Sequence, residues 1–399
     1  MAVEAWMLGI GLALLVSIVA SRLASRLGVP VLLSFLVLGM ALGSQGPGGI
    51  WFSDARLAQE IGIVALAFIV FSGGIGLDWR TARPQLPKAL VLATLGVAAT
   101  AAVVGAAAHY FLKFSITEGL LLGAIVAPTD AAAVFSTLSR GDIRIKPELR
   151  DTLEMESGTN DPTGIFLAGA LIASLTEPTF NAGASALGFA TQMAIGGTGG
   201  WLVGRLGVLA MRKLRLEFVG LYHGLGIAIV LVAFGGTAML WGSGFLAAYV
   251  SGVIFGNREF RQQKGLTRFF DGVAWLMQIG LFVVLGLLVF PRELIHVAGP
   301  GTLVALILMF VARPLGVFVS LTPFRIPWRD QLLVSWCGLR GAVPIVLATF
   351  PLLADLPRAH EIFNLVFFVV VFSTVLQGPT IPLLAKRLAP DSPPVPEKP

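Results

Sequence analysis

Charge is what this 399-residue sequence has least of. Asp, Glu, Lys and Arg make up 13% of it, about half the share of an ordinary soluble domain. The deficit runs the whole length and points to a polytopic membrane protein. Cysteine is nearly absent as well. Cys337 is the only one, which excludes a disulfide framework and a thiolate metal cluster. The histidines, His109, His223, His296 and His360, are scattered without ligand spacing and read as interfacial residues. No Gly-rich phosphate loop, zinc signature or nucleophile elbow occurs, so the reading is a non-enzyme without a cofactor. No basic residue precedes the first apolar run, which follows Glu4. A signal peptide wants a positive n-region, so this run reads as a retained span. The net charge of +6 sits in short loops between apolar runs. It reads as an orientation signal, with the lipid bilayer and not nucleic acid as the partner.

What is there is apolar: 56% hydrophobic residues and a mean hydropathy of +0.86. About 13 segments approach helix-spanning length. They run roughly 5–21, 29–44, 61–77, 88–112, 117–138, 151–175, 184–210, 219–240, 243–256, 270–290, 299–321, 331–351 and 362–385. Their basic residues alternate by loop. One set of connections holds only Arg56, Lys113, Arg292 and Arg358. The other holds the remaining basic residues, apart from Arg313 and Arg340 within spans. The richer side is cytoplasmic by the positive-inside rule. The N-terminus is then outside and the C-terminus inside. After Leu388 the chain is Pro-rich, with Pro390, Pro393, Pro394, Pro396 and Pro399, and reads as a short extended cytoplasmic tail over 388–399.

Two polar islands interrupt the apolar runs. In the fifth span stands Ala127-Pro128-Thr129-Asp130. Pro128 donates no N–H and clashes with the preceding turn, so it breaks the helix there. Freed carbonyls and the Thr129 hydroxyl can then coordinate a cation, although an ordinary Pro kink with a helix-capping Asp130 fits this island alone equally well. Asp130 faces the positive end of the resumed helix. In the sixth span Glu154, Glu156, Ser157, Thr159, Asn160 and Asp161 crowd eight residues. Ser157 and Asp161 are spaced i, i+4 and share a face, as do Glu156 and Asn160. Hydroxyl, amide and carboxylate oxygens together suit a hard monovalent cation. A desolvated carboxyl disfavours its charged form, which lets one group hold either a proton or a cation. Glu154 reads as solvated at the cytoplasmic end. The twelfth span carries Gly338-Leu339-Arg340-Gly341-Ala342-Val343-Pro344. It lies seven spans after the fifth, so the two broken helices run in opposite directions, as in inverted-repeat transporters. A buried Arg340 requires a carboxylate partner, Glu156 or Asp130. Arg313 reads as snorkelling toward the cytoplasmic surface. The glycines, Gly196-Gly197 and Gly199-Gly200 among them, read as sites of close helix packing.

Glu156-Ser157-Gly158-Thr159-Asn160-Asp161-Pro162, with Ala127 to Ala131 and Gly338 to Val343, resembles the monovalent cation:proton antiporter superfamily. The Asn-Asp pair is similar to its electroneutral NhaP-type branch. Gly123 to Val126, Gly256-Asn257-Arg258, Phe270 to Trp275 and Trp336 to Pro344 resemble its cell-volume-regulation (CvrA-like) potassium/proton antiporters. The resemblance spans nearly all of residues 1–387. It implies an all-α fold of about 13 transmembrane helices, with inverted repeats and two broken crossing helices, in a homodimer of the bacterial inner membrane. Scaffold and dimer spans would cover about 5–77 and 219–290, a linking span 184–210, and a mobile core 88–175 and 299–385. The implied activity is exchange of K⁺ or Na⁺ for H⁺, with a potassium-efflux channel as the rival. The resemblance further implies Asp161 as the shared proton and cation carboxylate. Thr129, Ser157 and Glu156 would surround the ion, and Asp130, Asn160 and Arg340 would support the site. Two departures stand out. The third span reads Phe71-Ser72-Gly73-Gly74, without the acid many relatives carry there. CvrA-like proteins usually continue into a long cytoplasmic regulatory region, and this chain ends soon after its last span.

Overall fold

The computed structural model describes residues 2–26, 30–140 and 143–388. The Pro-rich tail lies outside them. The described chain is helical, with no strand, as hydrocarbon demands of a backbone that must satisfy its own hydrogen bonds. In order the helices are α1 (Ala2–Arg26), α2 (Val31–Leu42), α3 (Ala55–Gly76), α4 (Trp79–Leu112), α5 (Ile116–Val126), α6 (Ala131–Arg140), α7 (Pro147–Thr176) and α8 (Ala182–Lys213). They continue with α9 (Val219–Met239), α10 (Gly244–Gly256), α11 (Gln263–Leu287), α12 (Pro291–Phe324), α13 (Trp328–Trp336), α14 (Ala342–Leu353) and α15 (Ala359–Leu388).

Seven of these are long and apolar enough to cross a membrane, and the pair α5 and α6, bent by 43°, makes an eighth. The chain is therefore a multi-pass membrane protein. Helix α7 has the length, 30 residues, but its acidic island lowers its hydropathy. Helices α2, α10 and α14 are apolar but shorter. Starts are marked by side-chain caps. Ser115 and Glu118 form a reciprocal capping box at α5, Asn181 caps α8 and Ser243 caps α10.

Helix α3 packs against α10 and α11, and α11 also against α2. Helix α4 packs against α5, α7 and α12, and α15 against α12 and α14. Glycine allows the closest approaches. A Cβ on Gly39 of α2 would meet the Gly286 Cα of α11 at 2.9 Å. One on Gly196 would meet the backbone of Ser243, the cap of α10, and one on Gly200 that of Ala247 within it, whereas Gly197 faces open space. Without an apolar force between helices in lipid, such backbone proximity is what holds them.

Helices α4 and α12 each contain a π turn in mid-span, Leu92–Gly96 and Leu308–Ala312. The two helices meet there, since a Cβ on Gly316 would lie 2.8 Å from the Gly96 carbonyl oxygen. A π turn inserts one residue and shifts the register of everything after it. The first residue after the second π turn is Arg313.

Candidate functional site

Both polar breaks are real. The segments 127–130, between α5 and α6, and 337–341, between α13 and α14, lie against each other, and the Asp130 N–H donates to the Leu339 carbonyl at 2.8 Å. At this crossing two helix C-termini and two N-termini converge, with their unpaired backbone groups and partial charges. The sequence supplies one side chain for each kind. Asp130 Oδ1 accepts from the Ala133 N–H at 3.2 Å, capping α6. Its other face lies against Gly341, the residue before α14, where a Cβ would come 2.8 Å from the Asp130 Cγ. Arg340 serves the opposite ends. Its Nε donates to the Val126 carbonyl of α5 at 3.1 Å and its Nη1 to the Gly338 carbonyl after α13.

The expected carboxylate partner of Arg340 is therefore not the one it takes. It makes no ion pair with Asp130 or Glu156 among the described residues. Glu156 is held by Arg313, with Nη1–Oε1 at 2.6 Å and Nη2–Oε2 at 2.9 Å, both side chains essentially unexposed. The reading of Arg313 as snorkelling is corrected too: it is 1% exposed. The register shift of the preceding π turn accounts for its pointing inward. Its depth was a usable signal. Twelve residues separate it from Arg325, about 18 Å of helix, beyond the reach of a snorkelling side chain. With both oxygens engaged and no place on the cavity wall, Glu156 is not positioned to coordinate an ion as expected.

The remaining island residues meet around a cavity of about 210 Å³, lined by Thr129, Asp130, Ser157, Asp161, Glu154 and Tyr249 together with apolar residues of α3, α11 and α14. Thr129 accepts a hydrogen bond from the Asn160 Nδ2 at 2.8 Å. Ser157 accepts one from the Ala131 N–H at 3.2 Å. These contacts tie α7 to the broken span. Asp161 is buried, and its Oδ1 has no hydrogen-bond partner among the described residues. Such an atom is costly to leave unpaired unless something else occupies its lone pairs. Asn160 itself is fully buried beside the cavity, behind Thr129.

Sequence reasoning also missed Tyr249. Its buried hydroxyl has no hydrogen-bond partner among the described residues, and its ring packs on Gly158, where a Cβ would sit 2.6 Å from the Tyr249 Cζ. An aromatic in the short apolar helix α10 carries no local mark of this role. A second cavity of about 340 Å³ shares Ile69, Gly73, Ala132 and Gln278 with the first and reaches Ser72 and Asp271. The Ser72 hydroxyl donates to Asp271 Oδ1 at 3.4 Å. Thus the third span contributes Ser72, Gly73 and Gly76, and no acid, to these walls.

The crossing leaves no room at Gly341. We expect Gly341→Ala to press on Asp130 and to destabilise the protein by about 1–3 kcal/mol, the usual cost of overpacking a tight core. A thermal melt of the detergent-solubilised variant that overlays the parent would contradict this.

Comparison with known proteins gives the geometry its context. The family model described as sodium/hydrogen exchanger, transmembrane, matches residues 10–387. A K(+)/H(+) antiporter NhaP of Alkalimonas amylolytica is 45% identical over 97% of this chain and 67% of its own length. A K(+)/H(+) antiporter NhaP2 of Shewanella sp. (strain MR-4) is 41% identical over 96% of this chain and 66% of its own. The chain thus spans about two thirds of the length of these curated relatives. The solved sodium proton antiporter MjNhaP1 of Methanocaldococcus jannaschii superposes with a TM-score of 0.83 at 25% identity, covering 98% of this chain and all of that one. With a family model matched over almost its whole length, and the fold of a solved sodium proton antiporter reproduced over 98% of it, the chain belongs to the sodium/hydrogen exchanger family.

Proposed function

We propose that the protein exchanges a monovalent cation, K⁺ or Na⁺, for H⁺ by alternating access, with Asp161 as the shared site. The observation that carries this is the unpartnered Asp161 Oδ1 on a cavity wall that also holds Thr129 and Ser157. One carboxylate among hydroxyl oxygens serves a proton or a hard cation in turn. The relatives' printed activity, K(+)/H(+) antiport, favours K⁺. A cavity with a buried, unpartnered carboxylate for which cation and proton compete suits alternating exchange better than the channel alternative.

In the same proposal the chain has 13 spans, N-terminus outside and C-terminus in the cytoplasm of the bacterial inner membrane. These spans are the eight above with α2, α7, α8, α10 and the broken pair α13 and α14. The matching π turns of α4 and α12, and the matching breaks after α5 and α13, support an inverted repeat. The contacts favour a scaffold of α1–α3 and α9–α11, a linking α8, and a core of α4–α7 and α12–α15; the same proposal makes the working unit a homodimer. Asp130 and Arg340 stabilise the crossing, Asn160 positions Thr129, and Glu156 anchors Arg313. The adjoining cavity at Ser72 and Asp271 then opens toward the cytoplasm.

The test is proteoliposome exchange with KCl and NaCl in turn. Charge balance sharpens it. Asn160 cannot titrate; with Asp161 as the one cycling carboxylate, each cycle carries one proton one way and one cation the other. We expect no sustained current at symmetric pH in solid-supported-membrane recordings. A steady current that follows net charge movement would require a second cycling carboxylate.

A further inference from the structure

Glu154 and Glu156 are two residues apart on α7, yet they stand in different circumstances. Glu156 is locked by a bidentate buried guanidinium. Glu154 lies on the cavity face, in line with Ser157, Gly158 and Asp161 at i+3, i+4 and i+7. Seven residues put it about 10 Å from Asp161 along the helix. Its one cationic partner among the described residues is Arg150, a single Nε–Oε1 contact at 3.2 Å, with the Glu154 side chain 22% and that of Arg150 59% exposed. Arg150 also reaches across to α6, where its guanidinium lies 5.3 Å from the centre of the Phe135 ring, and Phe135 lines the cavity as well. The third span supplies no acid here: Gly73 is on the wall with open space before it. Of the carboxylates on that wall, Asp130 is engaged with the helix ends, which leaves Glu154, held only by its single contact to the exposed Arg150, as the partly exposed acid on the same face as Asp161.

We infer that Glu154 is the carboxylate on which the cation first docks, and that Arg150 is a tethered competitor the cation displaces. The inference rests on the reading of Asp161 as the transport site. A guanidinium held through one contact in partial water is weakly bound, so a mobile K⁺ or Na⁺ at working concentration competes with it. Released Arg150 keeps its place over Phe135, clear of the path. The pair therefore sets apparent cation affinity without taking part in the proton exchange at Asp161. The bland alternative is an i, i+4 pair that only steadies the start of α7. That role predicts a change in stability and none in KM.

The experiment is the cation dependence of exchange in proteoliposomes, with KCl and NaCl in turn, for Glu154→Gln, Glu154→Asp, Arg150→Gln and Asp161→Asn. We expect Glu154→Gln to raise the apparent KM about two- to five-fold, the change that a half-exposed ion pair supports, and to alter KM by more than the maximal rate. Glu154→Asp should recover part of the affinity. Arg150→Gln should lower KM. If KM is unchanged in both Glu154→Gln and Arg150→Gln while Asp161→Asn is inactive, the docking role is wrong and the transport site stands. If Asp161→Asn still exchanges, the transport site itself is misplaced. Should Glu154→Gln not fold, Arg150→Gln keeps the acid and decides alone: an unchanged KM there overturns the inference.

Discussion

Asp161→Asn should reduce cation/proton exchange to the level of empty liposomes while the protein still folds. The substitution keeps the shape of the side chain and removes its chemistry. An amide cannot titrate, and it offers one acceptor oxygen where the carboxylate offers two. Neither the protonated nor the cation-bound form of the site then exists. Folding should survive because Asp161 Oδ1 has no internal hydrogen bond to lose. The same competition shapes the pH response of the parent protein. At low pH on both sides the proton holds the site and excludes the cation, so exchange falls. At high pH too few protons remain for the return step, and exchange falls again. Activity should trace a bell, and raising the cation concentration should move its acid limb to lower pH, because more cation outcompetes more protons. Pyranine fluorescence in proteoliposomes at stepped pH and KCl measures both effects. Retained proton-coupled flux in Asp161→Asn, in protein that elutes as a single folded species, would remove Asp161 from the mechanism.

The polar islands and their meeting were legible because each broke a rule that lipid enforces. Pro128 inside an apolar run and an acidic cluster in the sixth span both cost too much to be incidental. The ion-pair partners were not legible. Spacing along one helix fixes which residues share a face, but Arg313 depends on a π turn written in ordinary apolar residues, Leu308 to Ala312. Nothing in Leu-Met-Phe-Val-Ala announces an extra residue in the turn. Arg340 was matched to a carboxylate because an isolated guanidinium in a span needs compensation. The break supplied it through the carbonyls of Val126 and Gly338, which are the negative ends of two half-helices. Glu154 was read by its nearness to the basic loop. Its place on the cavity face follows from the rotation of α7, which is set by contacts with α4 and α5. The short α10 is apolar throughout apart from Ser251, so nothing in its local sequence marks Tyr249 as a wall of the site.

Breaking the Glu156–Arg313 pair should cost the fold more than any other single polar change. Each side chain is buried, and each is the other's principal compensation. Removing one partner leaves a desolvated charge, a penalty of roughly 3–5 kcal/mol. The pair joins α7, which carries Asp161, to α12 just after its π turn. Its loss loosens the wall behind the site as well as the fold. Arg313→Met and Glu156→Leu should each lower the melting temperature in detergent sharply and reduce exchange. The double substitution should recover much of the stability, because a well-packed apolar pair replaces two charges that each needed the other. The difference between the double loss and the sum of the single losses measures the pair directly. Cys337 and Arg340 lie close by, so the recovered variant also reports whether the crossing needs the charge or only the volume. If both single variants melt like the parent, the buried pair is not what holds α7 to α12. If the double variant is stable and still exchanges, the pair serves the fold alone, and the cation's ligands must be sought among Asp161, Thr129 and Ser157.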